Sequence, residues 1–105
     1  MKIIWSDLAK SQLKSIYIYY SSVSNKQITK KLIKKIIDRT DILIDNPSAG
    51  TKEALLAHFA ESYRYLVVGN YKIIYWVYDE TIAISSIFDS RQNPEKLKRD
   101  IKKTV

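Results

Sequence analysis

Cysteine is absent from this chain of 105 residues. That excludes disulfide staples and thiolate metal sites, and it leads us to expect a reducing, cytoplasmic setting. The one histidine, His58, cannot build a zinc site alone. Only two glycines and two prolines occur, so loops should be few and short. No apolar run approaches the ~20 residues that a membrane helix needs. The opening MKIIWSDLAK has a short apolar run before Ser6-Asp7, too short for a signal peptide. The residues call for no cofactor and no metal, and no membrane partner is expected.

What is present is a globular composition carrying positive charge. Hydrophobic residues make up 46% and charged residues 28%, a mix that belongs to a folded chain rather than a disordered one. The length suits a single domain over residues 1–105. The net charge is +7. A field of that sign attracts nucleic acid, an acidic protein segment or an anionic surface, where the bland alternative is solubility alone.

Periodicity divides the chain cleanly. Residues 2–5, KIIW, read as an opening strand, and Ser6 is placed to cap a helix with Asp7 in its first turn. Leu8, Ala9, Leu13, Ile16, Tyr17 and Tyr20 recur at three- and four-residue spacing, and the helix should stop near SSVSN. Ile28, Leu32, Ile33, Ile36, Ile37, Leu43 and Ile44 carry a second stripe that ends at Asn46-Pro47, with Lys30, Lys31, Lys34, Lys35 and Arg39 on its other side. The short connection makes an antiparallel helical hairpin. Residues 48–61 read as a loop with a helical turn. Strands follow over 62–68, 71–78 and 80–88, with Gly69-Asn70 and Asp79-Glu80 as turns. After Pro94 the run EKLKRDIKK suits a short charged helix. Its apolar contacts are limited to Leu97, Ile101 and Val105, so weak docking is expected. The fold class is α+β: an N-terminal strand at the sheet edge beside the last elements, a helical hairpin, a three-stranded antiparallel meander and a short C-terminal helix. The paired helices should shield one sheet face and leave the other open to an acidic macromolecule.

The pattern Trp5, Ala9, Leu13, Ile16, Tyr20, then Leu43 with Pro47 and Gly50, then YRYLVVGNYKIIYWV, then IFDSRQNPEKL, resembles the RelE/ParE superfamily of type II toxin–antitoxin toxins, also called plasmid-stabilisation proteins. The resemblance spans nearly the whole chain, and its most specific part is the segment around Arg64, Gly69-Asn70 and Lys72. It implies a growth-arresting toxin, silenced by a cognate antitoxin in a hetero-oligomer. It further implies one of two targets: DNA gyrase, which ParE-like members poison by binding, or the ribosome with its mRNA, which RelE-like members cleave.

Residues matching the nuclease branch are Arg64, Lys72 and Arg91, with Tyr63 and Tyr65 flanking Arg64 as further target or phosphate contacts. Metal-free RNA cleavage needs a proton acceptor, a proton donor and cations for the phosphate. No tyrosine follows Tyr78 and no histidine follows His58, so the C-terminal acid/base position of that branch is empty. Arginine is a poor proton acceptor. This favours the gyrase-binding reading, with ribosome-dependent mRNA cleavage as the alternative and an inactive, antitoxin-binding remnant as a third. Purely structural roles stand beside these. Arg64 can pair with an acid such as Asp89, Lys72 can be a solvated strand residue, and Arg91 can stabilise its turn. Register adds a constraint. A two-residue turn sets Val67 opposite Lys72, which sends Arg64 and Lys72 to opposite faces, and only a bulge at Gly69-Asn70 reunites them.

Overall fold

Local signals set the chain's course from its first turn. The structure, a computed structural model, describes residues 1–104, with side chains through Lys102. Strand β1 (Lys2–Trp5) runs into helix α1 (Asp7–Val23), whose N-cap is Ser6: its hydroxyl accepts from the Ala9 amide at 3.0 Å. Helix α2 (Lys26–Asp41) begins at Asn25, which caps Ile28 in the same way at 2.9 Å. Both caps satisfy amides that a helix start leaves orphaned. Helix α2 ends at Asp41, and Leu43 and Ile44 lie in the turns that follow. The apolar stripe outlasts the helix because Leu43 remains fully buried from that turn, so its burial does not depend on helical geometry.

Next come a two-residue strand β2 (Thr51–Lys52), a single 3₁₀ turn over Ala54–Leu56, and strands β3 (Arg64–Val68), β4 (Tyr71–Tyr78) and β5 (Thr81–Asp89). Helix α3 (Pro94–Thr104) closes the described chain. The sheet order is β1-β5-β4-β3-β2, with β1 parallel to β5 and every other pair antiparallel. The expected α+β class and the edge position of β1 both hold. Strand β2 has no period to reveal it, since both its residues are exposed.

The β3–β4 turn is a two-residue one, pairing Val68 with Tyr71, and Gly69 takes φ 56° there. Positive φ costs glycine nothing, which is why hairpin turns favour it. The sheet's irregularity lies elsewhere. Between β4 and β5 the register shifts at Ile74/Tyr75, which leaves Ser85 as an extra residue. Helix α1 repairs that defect. The Gln12 Oε1 accepts from the Ile87 amide at 2.7 Å and from the Ser86 hydroxyl at 3.1 Å, and Ser6 donates to the Ser85 carbonyl at 3.0 Å.

Two cores result. On one face, α1, α2 and the turn after α2 cover Leu66, Tyr71, Ile73, Tyr75, Ile82, Ile84 and Ile87 with Ala9, Ile16, Ile36 and Leu43. On the other, α3 and the 3₁₀ turn bury Leu56, Tyr63, Ile74, Phe88, Leu97 and Ile101. The open second face of the sequence reading is therefore corrected: α3 and residues 53–63 cover much of it. Weak docking of α3 is corrected too, because Leu97 and Ile101 are both fully buried. Two leucine-sized side chains at ~1.5–3 kcal/mol each outweigh the loose tethering that a charged sequence suggests. Val105 lies outside the described residues. Replacing Leu97 with Ala should accordingly lower unfolding free energy by about 2–5 kcal/mol, measured by chemical denaturation. A loss below about 1 kcal/mol would show that α3 is not part of the core.

Candidate functional site

The alternation of β4 decides where the basic residues go. Arg64 pairs with Tyr75 and Lys72 with Val67, as the two-residue turn requires. Arg64 thus shares the helix-covered face with Tyr71, Ile73 and Tyr75, and Lys72 shares the other with Ile74 and Trp76. No bulge at Gly69-Asn70 reunites them.

On the helix side, Arg64 donates to the Gly50 carbonyl at 2.8 Å rather than to Asp89. The Tyr75 hydroxyl accepts from the Gly50 amide at 2.8 Å and donates to the Pro47 carbonyl at 2.8 Å. A Cβ on Gly50 would lie 2.6 Å from the Tyr75 ring and 2.8 Å from the Tyr65 carbonyl, so only glycine fits. Burial is the main cause that raises the Tyr75 pKa, which keeps the hydroxyl neutral and able to donate. Arg64 and Tyr75 together fasten the segment after α2 to the sheet.

On the opposite side, the Lys72 ammonium donates to the Glu53 carboxylate at 2.8 Å and sits 4.2 Å over the centre of the Tyr65 ring. Glu53 is itself buried, and its other carboxylate oxygen caps the 3₁₀ turn at the Leu55 amide. The pair pins residues 53–63 over the second core. Tyr63 lies inside that core, with its pKa pushed up to about 12, chiefly by burial and then by Glu61. Tyr65 is occupied by Lys72.

Arg91 follows β5 in a polar turn and grips Asp89 with two bonds, Nε to Oδ1 at 3.0 Å and NH2 to Oδ2 at 2.8 Å. The guanidinium holds the Asp89 carboxyl below the usual range, and Asp89 in turn raises the Arg91 pKa. The Tyr20 hydroxyl interacts with both Arg91 and Tyr71 and contributes to raising each pKa, although burial is the larger cause for Tyr71. Arg91 is more than half exposed and borders a cleft of about 530 Å³ between α1 and the start of α3, which Tyr19, Tyr71, Asp89 and Lys96 also line. Of the three cations, Arg91 alone faces an open cleft.

The sequence reading placed Arg64, Lys72, Arg91, Tyr63 and Tyr65 in one candidate site, and the structure does not bring them together. Three of them serve the fold from two faces, Tyr63 packs in a core, and Arg91 stands at the far end of β5. Trp76, Tyr78 and Glu61 also line one pocket, a grouping absent from the sequence reading. The signal available was two large aromatics at alternate positions of β4 running toward a turn, an odd choice for a covered strand end. His58 is exposed and meets Phe59 at a tilt of 42°, with ring centres 4.7 Å apart.

Changing Tyr75 to Phe should strip the buried Gly50 amide of its acceptor and destabilise the protein by about 1–3 kcal/mol. Thermal or chemical denaturation reads the loss directly, and an unchanged unfolding free energy would mean that the segment is held by packing alone.

A family model described as ParE toxin of type II toxin-antitoxin system, parDE, matches residues 3–94. No curated protein matches the sequence. Among solved structures, one described as a chromosomal ParDE TA system from P. aeruginosa superimposes with a TM-score of 0.70 at 20% identity, covering 85% of this chain and 95% of that one. At that identity the likeness shows a shared fold, and the family match carries the assignment. The strand–hairpin–meander architecture and that match agree: the chain belongs to the ParE toxin family of type II toxin–antitoxin systems, within the RelE/ParE superfamily.

Proposed function

We propose that this chain arrests growth by binding DNA gyrase, without nuclease chemistry of its own, and that a cognate antitoxin silences it. The observation that carries the reading is the engagement of every candidate cation. Arg64 is held by the Gly50 carbonyl, Lys72 by Glu53, and Arg91 by Asp89. A phosphate-cleaving site needs cations free to meet charge as it develops, with a proton donor and acceptor at the same point. Here the hairpin cations point to opposite faces. The Asp89–Arg91 pair favours both charged forms, which suits recognition rather than proton transfer. Burial raises the pKa of Tyr63, Tyr71 and Tyr75, so none of these three supplies a phenolate base.

Surfaces whose chemistry suits protein binding support the reading. Lys30, Lys31, Lys34, Lys35 and Arg39 lie exposed on α2, and among the described residues only Lys34 of these forms an ion pair, with Asp38. That face suits an acidic antitoxin segment. The Arg91 cleft supplies a planar cation beside tyrosines, a combination that anchors protein interfaces.

A supercoiling assay with purified gyrase tests the proposal. The toxin should inhibit supercoiling or trap a cleaved complex. Arg91→Ala should weaken that effect by about tenfold while leaving stability within roughly 0.5 kcal/mol, as for an exposed ion pair. Unaltered supercoiling together with mRNA cut within translated codons would establish the nuclease reading instead.

A further inference from the structure

The sheet face that α3 leaves uncovered carries an aromatic pocket. It lies beside the end of β4 and has a volume of about 420 Å³. Tyr63, Trp76 and Tyr78 form its rings, Ile4 and Ala83 its apolar shelf, and Glu61 its one ionisable carboxylate. Trp76 and Tyr78 stack with centres 4.6 Å apart and planes 30° from parallel, and Tyr63 meets Trp76 edge-on at 6.4 Å. Tyr78 and Ile4 are 42% and 44% exposed, so the pocket opens to solvent.

Glu61 separates this pocket from the rest of the surface. It is half-buried, and it forms no ion pair with any described residue although the chain carries a net charge of +7. Its neighbour Glu53, by contrast, is matched to Lys72. Glu61 lies near enough to Tyr63 to help raise its pKa, which places its charge beside the rings. An unpaired carboxylate beside a stacked Trp–Tyr pair is complementary to a cation with a flat face. Ring quadrupoles attract cations most strongly at Trp, and a guanidinium both stacks on rings and binds a carboxylate through its fork of N–H groups.

We propose that this pocket receives an arginine side chain of the protein target, stacked on Trp76 and Tyr78 and paired with Glu61. The flanking apolar shelf of Ile4 and Ala83 takes an apolar neighbour of that arginine. Phosphate is disfavoured because Glu61 repels it, and an acidic antitoxin segment finds its complement on α2 instead. Assigning the arginine to the target rests on the gyrase-binding reading above. The pocket's preference for a guanidinium does not.

The experiment has two arms. In the first, the ¹⁵N-labelled full chain is titrated with the peptide amides acetyl-Gly-Arg-Gly and acetyl-Gly-Glu-Gly. The arginine peptide should give saturable shifts at the Trp76 indole and at the Glu61, Tyr78 and Ala83 amides. Glu61→Gln and Tyr78→Ala should each weaken it by about fivefold, and Tyr78→Phe, which keeps the ring, should retain it. No saturable shift at Trp76, equal binding of the glutamate peptide, or unchanged binding by Glu61→Gln overturns the proposal. In the second arm, the same variants enter the supercoiling assay, with melting temperatures confirming that they fold. Wild-type inhibition with a potency loss of about tenfold in Glu61→Gln and Tyr78→Ala supports the assignment to the target. Variants as potent as an active wild type overturn the target assignment and leave the gyrase reading intact. A wild type inert toward gyrase overturns the gyrase reading and the target assignment together, and the peptide arm then decides whether the pocket takes a guanidinium.

Discussion

Strand β4 lies in the middle of the sheet, and over Tyr71–Tyr75 both of its faces are covered. Ile73 and Tyr75 enter the core under the helical hairpin, while Ile74 and Trp76 enter or border the one under α3. Along that stretch a charge has little solvent to which it can retreat. Every polar group the strand carries there must find a partner inside the protein or pay for desolvation. The Tyr75 hydroxyl finds the backbone of Pro47 and Gly50, and Lys72 finds Glu53 and the Tyr65 ring. Apart from the Tyr65 ring these partners lie in residues 47–53, so an irregular stretch of the chain is tied closely to the sheet.

The same constraint shapes function. Arg64 and Lys72, each held by a partner within the fold, have fewer donors left for an outside phosphate. What remains outward-facing is segregated by sign: a lysine-rich face on α2, a tyrosine-lined cleft with Arg91 at one end of β5, and an aromatic pocket with an unpaired carboxylate near the end of β4. Such a surface can hold an acidic segment and a basic one at different places. That is what a protein needs if it must meet both a silencing partner and a target.

Much of the fold was legible in the sequence. Ser6 announced its helix, and Gly69-Asn70 announced the hairpin turn, while the choice between a two-residue turn that parts Arg64 from Lys72 and a bulge that reunites them was open until the structure showed the former. What stayed hidden depended on long-range partners. Glu53 lies 19 residues from Lys72, in a stretch without periodicity, so nothing local links them. The extra residue at Ser85 leaves no mark in an alternating strand of small and branched residues, and Gln12 reads as an ordinary helix residue until that bulge exists. Helix α3 looked loosely held because its composition is charged, yet two buried side chains spaced four apart suffice to dock it. Of the candidate cations only Arg91 faces an open cleft. Arg64 and Lys72 looked like site residues because a strand cation among aromatics reads the same whether its partner is internal or external.

The central claim is that Lys72 serves the fold rather than the target. Replacing the pair together, Lys72→Met with Glu53→Leu, tests it most directly, because a buried ion pair exchanged for apolar side chains of similar size often leaves stability unchanged or improved. The account predicts a double variant that melts near the wild-type temperature and still arrests growth when expressed without antitoxin. A variant that melts normally but no longer arrests growth would contradict it.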